Sequence, residues 1–124
     1  LFEGGKADSI EEEIVQEGID GVKRLLSHLE MNDFDVDKKE RLPVVIDDHR
    51  WMRAPNSGMF QSIVENGAEV KKGEVIGLVT DPFGKIEKKV RASHEGFIFC
   101  VNESPVVNKG DAIYHIGKSI FNDI

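Results

Sequence analysis

The sequence has one cysteine, Cys100, so no disulfide can form within the chain and a reducing cytoplasm is its expected location. No apolar run approaches the ~20 residues that cross a bilayer, so no membrane partner is expected. The start, Leu1-Phe2-Glu3-Gly4-Gly5, lacks the basic segment and long apolar core of a signal peptide. It also lacks an initiator methionine, so we read the 124 residues as a piece of something longer. There is no Gly-rich phosphate loop and no Ser or Cys nucleophile elbow. A basic face is missing too. The net charge is −7; residues 1–48 hold 14 Asp/Glu against 6 Lys/Arg, and residues 49–124 hold 9 against 10. Phosphate binding needs the opposite sign, so nucleic acid is not an expected partner.

What is present suits a soluble globular chain, with 40% hydrophobic and 31% charged residues in a length that holds one modest domain and an attachment. Residues 9–31 predict a helix. Ile10, Ile14, Ile19, Val22, Leu25, Leu26 and Leu29 recur at spacings of three to five and form an apolar stripe. Ser9 and Glu12 have the spacing of a capping box, and Glu11, Glu12 and Glu13 suit the positive end of the helix dipole. Gly18 and Gly21 each weaken a helix by about 1 kcal/mol relative to Ala, which suggests that something packs closely on that face. Residues 32–42 are polar, acidic and aperiodic, and predict a linker.

From Pro43 the pattern changes to short Val- and Ile-rich runs broken by Gly, Asn and Pro, which predicts strands and turns over residues 43–118, with a tail at 119–124. An internal repeat organises this region. Residues 53–79 align with 91–116 through a one-residue gap. Arg53-Ala54 matches Arg91-Ala92, Gly58 matches Gly96, Glu65 matches Glu103, Lys72-Gly73-Glu74 matches Lys109-Gly110-Asp111, Ile76 matches Ile113 and Val79 matches Ile116. Unrelated segments of this length share only about two identities, whereas these share seven. Each half reads as strand, turn, strand, Gly turn, strand. Gly58 and Gly96 suit strands that pass close to another backbone, and Gly73 and Gly110 suit turns with positive φ. One half leaves an unpaired edge, while two halves can pair edges and share a core. A pseudo-two-fold, flattened β barrel is the expected architecture.

Those halves resemble the barrel-sandwich hybrid fold of biotinyl and lipoyl carrier domains. The motif reads Ala54-Pro55-Asn56-Ser57-Gly58 with Val70-Lys71-Lys72-Gly73-Glu74-Val75-Ile76, then Ala92-Ser93-His94-Glu95-Gly96 with Asn108-Lys109-Gly110-Asp111-Ala112-Ile113. A carrier bears its modifiable lysine at the tip between halves, where this chain has Lys85, but the residues that modifying ligases read around it are absent. The Asp81-Pro82-Phe83-Gly84 turn and Ala54-Pro55-Asn56-Ser57-Gly58-Met59-Phe60 are instead similar to the C-terminal domain of the succinylglutamate desuccinylase/aspartoacylase family. Phe2-Glu3-Gly4-Gly5, and a helix ending Val22-Lys23-Arg24-Leu25-Leu26, resemble the last strand and helix of that family's zinc domain. By that resemblance residues 1–31 are the end of a zinc-dependent catalytic domain, a strand end plus helix 9–31, and residues 43–118 a barrel-sandwich domain behind it.

The resemblance implies a parent hydrolase that cleaves the amide or ester bond of small-molecule N-acyl amino acids. Glu3 is then the general acid/base beside a zinc-bound water whose pKa the metal lowers toward about 7. It places the zinc ligands, a His-x-x-Glu pair and a distant His, upstream, so the fragment itself is expected to hold no zinc and to be inactive. His28, His49, His94 and His115 show no such spacing and suit surface or packing roles. Asp47, Asp48 and His49 are consecutive, so on a strand they point to alternate faces and do not converge on a metal. Trp51, Met52, Met59, Phe60, Phe97, Ile98 and Phe99 suit barrel core and edge, and Cys100 a buried small apolar position. Two further functions stay open: a carrier module modified on Lys85, and a structural domain whose repeat builds a homo-oligomer.

Overall fold

The structure, a computed structural model, describes residues 1–6, 8–35 and 43–119. The chain divides into two compact units, Leu1–Leu42 and Pro43–Ile124. Most of the expected linker at 32–42, and of the tail at 119–124, lies outside the described residues.

In the first unit, helix α1 spans Glu12–His28. It starts later than the periodicity predicts, and the Ser9–Glu12 capping box does not form. Glu11 is the N-cap, in extended conformation, and its carbonyl accepts from Ile14 and Val15 N–H at 3.0 Å each with no side-chain cap. Ser9 therefore sits outside the first turn, out of reach of the free N–H groups. At the other end Glu30 N–H donates to Ser27 O at 3.1 Å and Met31 N–H to Leu26 O at 3.0 Å, a Schellman closure with Glu30 left-handed at φ 56°. Residues 1–6 form no strand; a strand must bond to a neighbour. Phe2 instead lies on α1 at Gly18, where an added methyl would come within 3.2 Å of Phe2 Cε1. The close packing expected on the helix glycines is thus real at Gly18, while Gly21 has only the Arg24 guanidinium near it. No residue of α1 is buried, and it is neither long nor apolar enough to cross a membrane.

The second unit is β throughout, with β1 Ile46–Arg53, β2 Gly58–Ser62, β3 Glu69–Val70, β4 Val75–Thr80, β5 Glu87–Arg91, β6 Gly96–Val101, β7 Val106–Val107 and β8 Ala112–Ser119. Hydrogen bonding runs in two antiparallel four-stranded sheets, β1-β8-β6-β3 and β5-β4-β2-β7, rather than in one closed barrel. Replacing β1 to β4 by β5 to β8, and the reverse, converts each order into the other. The duplication seen in the sequence is therefore a duplication of the fold, with each half lending two strands to each sheet. Each half has one strand more than the repeat indicated. The additional ones, β1 and β5, lie at sheet edges and are largely exposed, so packing did not hold their sequences alike.

The repeated residues explain themselves in pairs. Arg53 Nη1 donates to Gly110 O at 2.9 Å, and Arg91 Nη1 to Gly73 O at 2.8 Å. Ala54 N–H bonds Asp111 O and Ala92 N–H bonds Glu74 O, both at 2.8 Å. Glu74 and Asp111 carboxylates close their own turns on Lys71 and Asn108 N–H at 2.8 Å each. Gly73 and Gly110 have φ 85° and 95°, the conformation expected of them. A methyl at Gly58 would strike the Thr80 carbonyl, and one at Gly96 the Gly117 carbonyl.

The core has the same symmetry. Ala54 and Ala92, Phe60 and Ile98, Val70 and Val107, Ile76 and Ile113, and Val79 and Ile116 are buried pair by pair. One pair breaks it: Tyr114 fills the centre and Gly77 stands at its equivalent position. A methyl on Gly77 would sit 2.5 Å from the Tyr114 hydroxyl, so there is room for only one large side chain there. The hydroxyl donates to Ile76 O at 2.5 Å and lies 2.8 Å from Ser62 Oγ. Burial pushes the phenol pKa above its ordinary value, against the smaller opposing effect of the Ser62 bond.

Candidate functional site

Among the described residues, Glu3, Lys85 and a histidine–aromatic cluster carry side chains capable of chemistry. Glu3, the expected acid/base, is exposed in the irregular segment that Phe2 ties to α1, between Phe2 and the closely packed Gly4. None of the four histidines shares its unit except His28, at the opposite end of α1.

Lys85 is exposed in the loop between β4 and β5. Asp81 shapes that loop: its N–H donates to Ile86 O at 3.0 Å, its Oδ1 accepts from Ile86 N–H at 2.8 Å and its O accepts from Gly84 N–H at 3.1 Å. The Asp81-Pro82-Phe83-Gly84 signature is thus a hairpin closure, with Lys85 exposed inside the loop that the Asp81–Ile86 bonds close.

The histidine–aromatic cluster lies on the β1, β6 and β8 face of the first sheet, turned away from the core. His49 Nδ1 and His115 Nε2 are 2.9 Å apart. Trp51 stacks on the His115 ring, with centroids 4.0 Å apart and planes 18° apart, and Phe99 lies 4.2 Å from the same ring at 37°. Antiparallel pairing does this, since Trp51 is directly opposite His115 and His49 opposite Gly117, two residues along on the same face. Burial among these rings lowers the His115 pKa, and the neighbouring His49 charge lowers it further.

This cluster corrects part of the expectation for the aromatics. Phe60 and Ile98 are core, Met52 packs against it and Trp51 lies exposed on edge strand β1, as expected, but Met59 is exposed on inner strand β2 and Phe99 belongs to the outer cluster. Cys100 is half-buried rather than buried; it pairs with His115 of β8, just after a register shift that follows Ile98. His49 and His115 are 66 residues apart, so spacing along the chain could not join them. The repeat alignment held part of the signal: it sets Phe99 against Gln61 and His115 against Leu78, and carried two residues back from its start it sets Trp51 against Lys89, all divergent.

A catalytic zinc takes three protein ligands and a structural one four. Among the described residues no group of three or more His, Cys, Asp or Glu is placed to hold a metal, so this chain's described residues do not fit a hydrolase zinc centre. A shallow cleft of ≈ 560 Å³ lined by Glu69, Lys71, Glu74, Glu95 and Lys118 is crossed by the Lys118–Glu95 ion pair at 2.9 Å. That bond, and then the Lys118 charge, lower the Glu95 pKa.

No protein-family profile and no curated protein matches the sequence significantly. Solved structures do match the fold. The product-bound ectoine utilization protein EutE (DoeB) from Ruegeria pomeroyi is 18% identical, with a TM-score of 0.76 over 90% of this chain and 35% of its own. A succinylglutamate desuccinylase/aspartoacylase from Rhodobacter sphaeroides gives 18% identity and a TM-score of 0.76 over 90% and 37%. A succinylglutamate desuccinylase from Silicibacter sp. TM1040 gives 18% and 0.72 over 90% and 35%. The chain spans little more than a third of the length of these structures. Its fold is the one found over that share of succinylglutamate desuccinylase/aspartoacylase family structures.

Proposed function

We propose that this chain serves as the corresponding part of a deacylase, which hydrolyses the amide or ester bond of N-acyl amino acids. The observation that carries the reading is the fold likeness over 90% of the chain, which includes both units, to a desuccinylase and a desuccinylase/aspartoacylase. The exposed apolar stripe of α1, with Val22, Leu25 and Leu29 each more than half exposed, supports it, since a stripe of that kind is ordinarily covered by a folded neighbour. In this reading the β unit is a barrel-sandwich domain of the biotinyl-like type, supported by its exchangeable halves, and the zinc is held by residues outside this chain. Glu3 is the general acid/base: its carboxylate takes a proton from the attacking water and delivers it to the leaving amine. The isolated 124-residue chain is then inactive.

The test is amine release from a panel of N-acyl amino acids, by the protein expressed from its complete reading frame and by these 124 residues alone. The reading predicts turnover by the first and none by the second. A complete protein that releases no amine from any acyl amino acid contradicts it. Nothing about Lys85 beyond its exposed loop favours the carrier alternative.

A further inference from the structure

We propose that His49 and His115 form a two-nitrogen half-site for a tetragonal divalent transition ion, copper(II) or nickel(II), on the outer face of the first sheet. Internal duplication supplies the control. Residues equivalent to His49, Trp51, Phe99 and His115 in the other sheet are Glu87, Lys89, Gln61 and Leu78, on the equivalent strands: Leu78 faces Lys89 as His115 faces Trp51, and Thr80 faces Glu87 as Gly117 faces His49, while the register shift at Phe99 on β6 has no counterpart at Gln61 on β2. The scaffold therefore folds without imidazoles or aromatic rings at these positions, and their assembly on one face alone is not a packing requirement.

Geometry selects the ion. Imidazole nitrogens bind divalent first-row ions at about 2.0–2.1 Å, so two that subtend a right angle are about 2.9 Å apart, while a tetrahedral ion needs them about 3.3 Å apart. The observed separation is 2.9 Å. That is the length of the hydrogen bond the two rings now make, and it also equals the cis spacing of a tetragonal copper(II) or nickel(II) site; both ions take imidazole readily. His115 is held between Trp51 and Phe99, at 4.0 and 4.2 Å, so its orientation is set before binding. His49 is exposed, which leaves the ion's remaining positions open to water or an incoming ligand. Binding needs both facing nitrogens as lone-pair donors. The ring proton between them moves by solvent exchange to the far nitrogen of its own ring, with no net release.

Trp51 is the chain's lone tryptophan and stacks on a proposed ligand, so its emission reports occupancy. Titration of the 124-residue chain with copper(II) and with nickel(II) is expected to quench it saturably at one ion per chain, with zinc(II) competing weakly. His115→Leu, which installs the residue found at the equivalent position, is expected to abolish saturation. So is His49→Gln on the exposed edge strand, which keeps the test decisive if the first variant misfolds; calorimetry reads the same loss without relying on Trp51. Absence of saturable binding in the wild type, or unchanged binding in a folded variant of either histidine, overturns the proposal.

Discussion

Tyr114 shows how one residue breaks a duplicated core. Two equal side chains cannot share the centre, and the structure resolves this with Gly77 on one side and a phenol on the other. Removing the hydroxyl in Tyr114→Phe takes a buried bond from Ile76 O, which keeps its bond from Ile63 N–H at 3.0 Å. The expected loss is about 1 kcal/mol in a urea melt, without loss of fold. Burial raises the folded phenol pKa, so the folded state holds its proton where the unfolded state has released it. Stability is therefore complete below the unfolded value of about 10 and falls as pH rises beyond it. As the chain's lone tyrosine, Tyr114 gives this directly in an ultraviolet titration, which should show a midpoint above 10 until unfolding releases it. Gly58 and Gly96 act by space: Ala at either position drives a methyl into a carbonyl oxygen across the pair. We expect each variant to lose on the order of 1–3 kcal/mol by the same melt, and by similar amounts, because the two sites are equivalent.

Among the elements, α1 was legible in its stripe and misread at its ends. Apolar periodicity is a property of the whole segment, whereas a cap depends on which residue leaves helical geometry, here Glu11 rather than Ser9. The C-terminal end holds a left-handed Glu30, a conformation that costs a side-chain-bearing residue about 1–2 kcal/mol and glycine little. Glu30→Gly should therefore raise the helix melting midpoint followed at 222 nm, by roughly 1 kcal/mol of stabilisation; an unchanged or lowered midpoint would mean the Schellman closure does not hold in solution. The inner strands were readable for a different reason. Arg-Ala, the close-approach glycines and the Lys-Gly-acidic turns recur because each makes the same bond twice, from Arg53 and Arg91 through to Asp111 and Glu74. Apart from Arg53 and Arg91 at their ends, edge strands β1 and β5 carry no such constraint, so their sequences drifted apart and the repeat did not reveal them. The histidine–aromatic cluster joins His49 and Trp51 on β1 to Phe99 on β6 and His115 on β8, so it forms only when strands far apart in the chain pair.

For the molecule as a whole, duplication explains both the second unit's stability and its topology. Each half lends two strands to each sheet, so neither half completes a sheet or a core alone. That interdependence was visible in the alignment. What the alignment could not provide was the order of strands in the two sheets, whose outer members β3 and β7 are only two residues long. The functional reading rests on a different base, the fold likeness over 90% of this chain to a succinylglutamate desuccinylase and a succinylglutamate desuccinylase/aspartoacylase. Its central chemical claim concerns Glu3, whose carboxylate has one neutral isostere of the same shape. The most direct measurement is kcat of Glu3→Gln in the protein from the complete reading frame, with an N-acyl amino acid that the wild type hydrolyses. Loss of proton transfer predicts a fall of about 10²–10⁴-fold in kcat with KM little changed. A variant that turns over at the wild-type rate would contradict the account.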